Sequence, residues 1–226
     1  MQAAALYRTS IGKKAIMAVS GVIWIGYVVM HMYGNLKAFL GEAAFNHYAE
    51  GLREMGAPIF GHLHLLTVAR ILFVVSIVLH VWAALSLTQQ ARQARPQNYA
   101  TRRVVQANYA SVTMRYGGVV ILLFLLLHLM QLTWGVSAVH GEFIPGEPYH
   151  NLVTNFQSLP VTLVYLVAVV ALGLHLFHGT WSMFQTLGFN NERMDRLIRG
   201  LAWALAILVP VGFASVPIAV QLGILS

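Results

Sequence analysis

Cysteine is absent from the 226 residues of the chain. Its absence excludes disulfides, thiolate metal sites, cysteine-held iron–sulfur clusters and covalently attached c-type haem, which needs a Cys-x-x-Cys-His motif. Any redox centre that this chain binds alone must therefore use histidine, methionine or a noncovalent cofactor.

Charged side chains are also scarce, because Asp, Glu, Lys and Arg make up only 9% of the chain while hydrophobic residues make up 58%. Soluble domains carry roughly 25% charged residues, so the composition predicts a protein of the lipid bilayer. The net charge of +7 comes from basic residues that lie between apolar stretches. We interpret them as orientation signals, and we expect no nucleic-acid partner.

Five apolar stretches are each long enough to cross a bilayer, which takes about 20 residues of helix. We predict an all-α bundle of five transmembrane helices, forming a single domain over residues 1–226. The helices are expected at about 15–39, 63–88, 117–139, 160–187 and 200–224. The first stretch is too long for the apolar part of a signal peptide, which is about 7–15 residues. Segments 41–62, 89–116, 140–159 and 188–199 are predicted to be loops.

The basic residues alternate between the connecting segments. The N-terminal leader, the 89–116 segment and the 188–199 segment hold three, five and three of the fourteen Lys and Arg residues. By the positive-inside rule, these segments lie in the cytoplasm. We therefore predict a cytoplasmic N-terminus and an external C-terminus.

Each of the first four spans carries a histidine, namely His31, His80, His128 and either His175 or His178. An ionisable side chain inside the membrane is costly and marks a functional site by default, and neutral imidazole is a good iron ligand. Helix rise places His31 with His128 in an outer pair and His80 with His175 in an inner pair. This predicts two bis-histidine irons stacked across the membrane. Depth alone slightly favours His178 over His175, so both remain candidates here.

Glycines occur at a matching offset. Gly21 and Gly118 each lie ten residues before a histidine of the outer pair, and Gly117 lies eleven before. This offset returns to nearly the same helix face at a lower level. The first and third spans therefore offer room for a flat macrocycle at the level of the inner pair.

Two further residues fit a bound haem. Arg70 lies ten residues before His80, and a buried arginine pairs well with a carboxylate such as a haem propionate. Gly179 lies one turn after His175 and would allow the inner macrocycle to lie close to the helix. A different functional class, a proton-coupled transporter with a histidine relay, is the alternative, but it does not require depth pairing across four helices.

Two segments carry a resemblance to a known family. LHLFHGTWSMFQTLG in the fourth span and EAAFNHYAE after the first resemble the single-chain, di-haem cytochrome b membrane anchor of succinate dehydrogenase and fumarate reductase. In the family pattern, the ligand is the histidine four residues before the glycine, which corresponds to His175 and not His178. The family also pairs the first helix with the third and the second with the fourth.

The resemblance implies two b haems, a quinone substrate such as menaquinone, and a location in the cytoplasmic membrane of a prokaryote. The implied partners are an iron–sulfur subunit and a flavoprotein that carries the succinate site, and higher oligomers of this complex are left open. The candidate quinone-site residues are His47, Glu50, Arg53 and Glu54 in the outer loop. A cytochrome b of a fumarate reductase, hydrogenase or formate dehydrogenase is the alternative within the same class.

One position differs from some fumarate-reducing relatives. They carry a glutamate, linked to proton transfer, two residues before the fourth-helix histidine, and this chain has Gly173 there. The difference favours succinate oxidation over fumarate reduction.

The predicted orientation can be tested with reporter fusions. Alkaline phosphatase fused after Ser226 is expected to be active and green fluorescent protein at the same point to be dark, because that end lies outside the cell. The same reporters fused after Gly188, in a basic segment, serve as the control and should show the opposite pattern. A fluorescent fusion at Ser226 would contradict the assigned orientation.

Overall fold

Helices account for the regular structure of the described part of the chain. The computed structural model describes residues 7–94, 109–139, 141–189 and 191–226, with side chains from residue 114 onward in the helix that begins at Tyr109. From the N-terminus the elements are α1 (Ser10–Leu36), a 3₁₀ helix (Lys37–Leu40), α2 (Glu42–Arg53), α3 (His64–Gln93), α4 (Tyr109–Leu132), α5 (Pro148–Gln157), α6 (Leu159–Thr186) and α7 (Glu192–Gln221).

Five segments are long and apolar enough to span a membrane: Ser10–Leu40, His64–Gln93, Met114–Leu132, Leu159–Thr186 and Glu192–Gln221. No β-strand occurs within the described ranges. The prediction of an all-α protein with five membrane spans is therefore confirmed. In hydrocarbon, a helix satisfies its own backbone hydrogen bonds, which explains why apolar stretches of this length form helices.

Neighbouring spans pack antiparallel. On α1 and α3, Tyr27 contacts Phe73 with ring centroids 4.3 Å apart. The backbone carbonyl of Ser20 accepts a hydrogen bond from the hydroxyl of Ser76. On α4 and α6, Phe124 contacts Tyr165 edge to face, with ring centroids 4.8 Å apart. Helix α7 packs against α6 and also contacts α1, so that α1, α6 and α7 meet.

Helices α6 and α7 approach closely at Gly173. A Cβ atom at this position would lie 2.8 Å from Cγ of Pro210 and 2.9 Å from the carbonyl oxygen of Ala206. Neither neighbour can move independently of the α7 backbone. Only glycine fits this contact, and small residues at such contacts allow membrane helices to pack backbone to backbone.

The third span lies earlier in the chain than predicted, because α4 runs from Tyr109 to Leu132 and not from about 117 to 139. Gly135 adopts a left-handed conformation with φ of 58°. The amide of Trp134 then donates to the carbonyl of Leu129, and the amide of Val136 donates to the carbonyl of Met130. A left-handed glycine that satisfies the last carbonyls is a common helix stop.

All four predicted loops contain helical residues, and in segment 89–116 these are the end of α3, to Gln93, and the start of α4, from Tyr109. Segment 41–62 includes α2, segment 140–159 includes α5, and most of segment 188–199 forms the start of α7. Helices α2 and α5 were not predicted because they are short. The fifth span was predicted to begin only at about residue 200 because the first turns of α7 carry charged residues. In the 89–116 segment, Arg95, Arg102 and Arg103 lie outside the described residues.

Helix α5 closes the end of the bundle at which α6 begins. It buries Tyr149, Leu152, Val153 and Phe156 against residues of α6 and α7, including Tyr165. The side chain of Gln221 on α7 donates to the backbone carbonyls of Phe156 and Gln157. This end of the bundle therefore holds the largest cluster of buried apolar side chains described.

Replacement of Gly173 by alanine is expected to lower the free energy of unfolding by about 1–3 kcal/mol, the usual cost of overpacking, because the new methyl group meets a proline ring and a backbone oxygen. Thermal unfolding in detergent measures the effect. Gly26→Ala is the matched control, since no atom lies within 4 Å of a Cβ built there. Equal unfolding temperatures for Gly173→Ala and the wild type would show that the contact is not tight.

Candidate functional site

The four candidate histidines lie at two levels of the bundle. His31 and His128 occupy the last turns of α1 and α4, and His80 and His175 lie beyond the midpoints of α3 and α6. The ring of His80 lies beside Gly21 of α1. His31 follows Gly21 by ten residues, which separates the two levels by about 15 Å of helix rise.

The outer pair brings two imidazoles from different helices together. The ring centroids of His31 and His128 lie 5.7 Å apart, and the ring planes are inclined by 82°. Tyr27 stacks on His31 at 5.3 Å with nearly parallel planes, and Phe213 of α7 contacts the same ring at 5.7 Å. Aromatic side chains thus enclose the outer pair and limit its rotation.

The inner pair is built in the same way from the other two helices. The ring centroids of His80 and His175 lie 6.2 Å apart, with planes inclined by 55°. A Cβ atom at Gly21 would lie 3.8 Å from Cε1 of His80, and one at Gly118 would lie 3.7 Å from Cε1 of His175. Both glycines therefore face the inner pair.

Gly117 and Gly179, the other two predicted glycines, face neighbouring helices. A Cβ atom at Gly117 would lie 4.0 Å from the carbonyl oxygen of Ala171, and one at Gly179 would lie 3.8 Å from Cε of Met114. These positions contribute to the packing of α4 against α6. The structure does not place them against a ring of the inner pair.

Two hydroxyl groups orient histidines of the pairs, and neither of these roles was predicted from the sequence. Ser20 Oγ lies 3.1 Å from Nδ1 of His80 and donates its own proton to backbone carbonyls of α1, at 2.8 Å to Ile16. Tyr165 Oη lies 3.3 Å from Nδ1 of His128. The hydroxyl of Tyr165 donates to Oε1 of Gln131 at 3.0 Å. A hydroxyl that already donates elsewhere acts as an acceptor, so Nδ1 of each ring carries the proton and Nε2 keeps its lone pair.

The two histidines of α6 differ in their surroundings. His175 faces His80, and its Nδ1 atom is buried with no hydrogen-bond partner among the described residues. A buried polar atom without a partner is costly and calls for an explanation such as a bound group. His178 instead faces Trp181, with ring centroids 6.3 Å apart. The structure therefore brings His175, and not His178, to His80.

Arg70 is exposed on the surface of the isolated chain. It lies one turn of α3 before Phe73, whose ring contacts that of Tyr27 at 4.3 Å, and Tyr27 stacks on His31. No ion pair of Arg70 occurs within the described residues. A charged side chain at membrane depth normally has a partner, so this guanidinium is available to a group that binds beside the outer pair.

The four predicted quinone-site residues share α2 or its C-terminal end but do not form one site. His47 lines a surface pocket of about 510 Å³ together with Lys37, Tyr48 and four apolar or small residues. Arg53 instead forms an ion pair with Glu50 at 2.8 Å. Ligand atoms of Glu50, Glu54 and His62 lie within 4.8 Å of one another, outside the pocket lining.

These features define a multi-pass α-helical membrane protein with two histidine pairs inside its bundle. The family model described as "Succinate dehydrogenase/Fumarate reductase transmembrane subunit" matches residues 91–214, which is more than half of the chain. The chain belongs to this family, and the predicted resemblance to the membrane subunit of succinate dehydrogenase and fumarate reductase is confirmed. Comparisons with curated proteins and with solved structures gave no match.

Proposed function

We propose that the chain is the haem-binding membrane anchor of a succinate:quinone oxidoreductase, carrying two b haems. When bound, a haem iron supplies one-electron chemistry by alternating between the ferric and ferrous states. Succinate oxidation at the flavoprotein releases two electrons and two protons, and reduction of a quinone to a quinol consumes two of each. The anchor contributes no succinate site and conducts electrons between the two reactions.

The spacing of the histidine rings is the observation that carries this proposal. A metal–imidazole bond is about 2 Å long and the nitrogen lies roughly 1 Å from the ring centre, so two imidazoles that would share one iron could have centroids up to roughly 6 Å apart. The two pairs have separations of 5.7 and 6.2 Å. Rotation about the iron–nitrogen axis accommodates any angle between the ring planes, including 82° and 55°.

The chemistry of the donors also fits haem. Four imidazoles and no thiolate suit two six-coordinate b-type irons. The faces of Gly21 and Gly118 that meet the inner pair carry no side chain, so they leave space beside the rings. The lone pairs on Nε2 of His80 and His128 are held available by the hydroxyls on Nδ1, as in metal sites whose ligands are oriented by outer partners.

Arg70 is proposed to pair with a haem propionate at the outer pair. The guanidinium and a propionate would neutralise each other within the membrane, where an unpaired charge is costly. Its position near Tyr27, which covers His31, supports this role.

The iron–sulfur subunit is proposed to dock at the end of the bundle nearer the inner pair. Three arginines are exposed on this side at the start of α7, namely Arg193, Arg196 and Arg199. In the predicted orientation, this end of the bundle faces the cytoplasm of a prokaryotic cell. Electrons would then enter at the inner pair and pass over about 15 Å of helix rise to the outer pair.

Quinone reduction is proposed near the outer pair, in the pocket that His47 lines. Tyr48 of this pocket packs on Gly34, one turn of α1 beyond His31; a Cβ atom at Gly34 would lie only 2.8 Å from its ring. The pocket combines apolar walls with imidazole, phenol and ammonium groups, which suits an apolar ligand with polar carbonyls such as menaquinone. Glu50, Arg53 and Glu54 would then lie near the pocket without lining it.

Succinate oxidation is the proposed direction, and the packing at Gly173 supports it. The close contact with α7 leaves no room for the glutamate that some fumarate-reducing relatives carry there. Membership in the succinate dehydrogenase and fumarate reductase family removes support from the hydrogenase, formate dehydrogenase and transporter alternatives.

Haem stoichiometry tests the proposal. A pyridine haemochrome assay on the purified complex is expected to return two b haems per anchor chain. His31→Ala or His128→Ala should remove the haem of the outer pair, and His80→Ala or His175→Ala that of the inner pair. Each variant should therefore retain one haem at most, because a remaining single imidazole holds the iron poorly.

His178→Ala is the matched control and is expected to retain both haems, because His178 faces Trp181 and not His80. Absence of haem from the wild-type complex would end the proposal. Loss of a haem in His178→Ala together with its retention in His175→Ala would overturn the ligand assignment on α6 alone.

A further inference from the structure

A chain of buried hydrogen bonds leads away from the outer pair. Nδ1 of His128 lies 3.3 Å from the hydroxyl of Tyr165. That hydroxyl donates to Oε1 of Gln131 at 3.0 Å, and Nε2 of Gln131 donates to the carbonyl oxygen of Val139 at 3.1 Å. Tyr165 and Gln131 are 6% and 2% exposed, so neither polar group can exchange these partners for solvent.

The hydrogen bonds of this chain all point in one direction. The carbonyl of Val139 can only accept, which fixes the amide of Gln131 with its oxygen towards Tyr165. Tyr165 has a single hydroxyl proton and uses it on that oxygen. The phenol oxygen therefore accepts a hydrogen bond from the N–H group at Nδ1 of His128, which increases the electron density of the imidazole ring.

We propose that Tyr165 and Gln131 are positioning residues that set the electron affinity of the haem at the outer pair by acting through His128. A ring that donates a hydrogen bond from Nδ1 is a better electron donor at Nε2 and would stabilise the ferric state of a bound haem. The two residues therefore lower the midpoint potential of that haem. This inference rests on the proposed function.

The other histidines have no equivalent chain within the described residues. His80 contacts Ser20, whose proton goes back to the backbone of α1 at Ile16, and Nδ1 of His175 has no partner there. The effect of Tyr165 is consequently confined to one of the two haems. The structure thus supplies an internal reference for the experiment.

Potentiometric titration of Tyr165→Phe in the complete complex tests the proposal, with each haem followed by its absorbance as dithionite supplies one electron per iron through mediators. Two haems should be retained, because phenylalanine preserves the shape of the buried ring. The ferrous-to-ferric ratio of one haem at a given potential should rise about 3- to 10-fold, which corresponds to a shift of roughly +30 to +60 mV for a one-electron couple. The other haem should be unchanged.

Gln131→Met is the second variant. It should raise the midpoint potential of the same haem by a smaller amount, because the phenol of Tyr165 loses its fixed acceptor but keeps its oxygen. Tyr149→Phe is the control: Tyr149 is a buried tyrosine of the same apolar cluster, and its loss of a hydroxyl should leave both potentials unchanged. If Tyr165→Phe loses a haem, the midpoint potential of Gln131→Met becomes the test of whether these residues lower the potential of the haem at the outer pair.

Unchanged or lowered potentials in Tyr165→Phe would overturn the inference, as would an equal shift in Tyr149→Phe. An unshifted Gln131→Met would also overturn it if Tyr165→Phe has lost a haem. These outcomes differ from failure of the proposed function, in which the wild-type complex itself contains no haem to titrate.

Discussion

The cost of placing imidazole in hydrocarbon is the constraint on which the structure depends. A polar ring at membrane depth must find partners, and here four helices each supply one ring and bring the rings together in two pairs at separations close to 6 Å. The two helices that supply one pair differ from the two helices that supply the other. The histidines therefore link α1 to α4 and α3 to α6, and a group bound at each level would hold all four helices in register.

Helix α6 contributes side chains to both histidine pairs and packs against α7. It carries His175 of the inner pair, and one face nearer its start carries Tyr165, which contacts His128 of the outer pair. Between them, Gly173 fixes the distance to α7. The fifth span supplies no histidine, but it presents Phe213 to the outer pair and buries the side of α6 that would otherwise face lipid. One helix thus contributes to both levels and to the packing that supports them.

Hydropathy and helix rise are one-dimensional quantities, so the sequence alone predicts the five spans, the depth of each histidine and the glycines Gly21 and Gly118 opposite the inner pair. Contacts that depend on side-chain direction were not predictable. Ser20 and Tyr165 reach Nδ1 atoms of other helices, and Gly117 and Gly179 turn towards helix contacts and away from the rings. The left-handed Gly135 ends α4 early, a local stop that an apolar stretch does not reveal.

The most direct test of two irons held by four imidazoles is low-temperature electron paramagnetic resonance of the oxidised complex. Bis-imidazole ligation makes ferric haem low-spin, so we expect two low-spin signals that together integrate to two spins per anchor chain. A predominantly high-spin ferric signal, or a single low-spin signal of one spin per chain, would contradict the proposal that each histidine pair holds one haem iron.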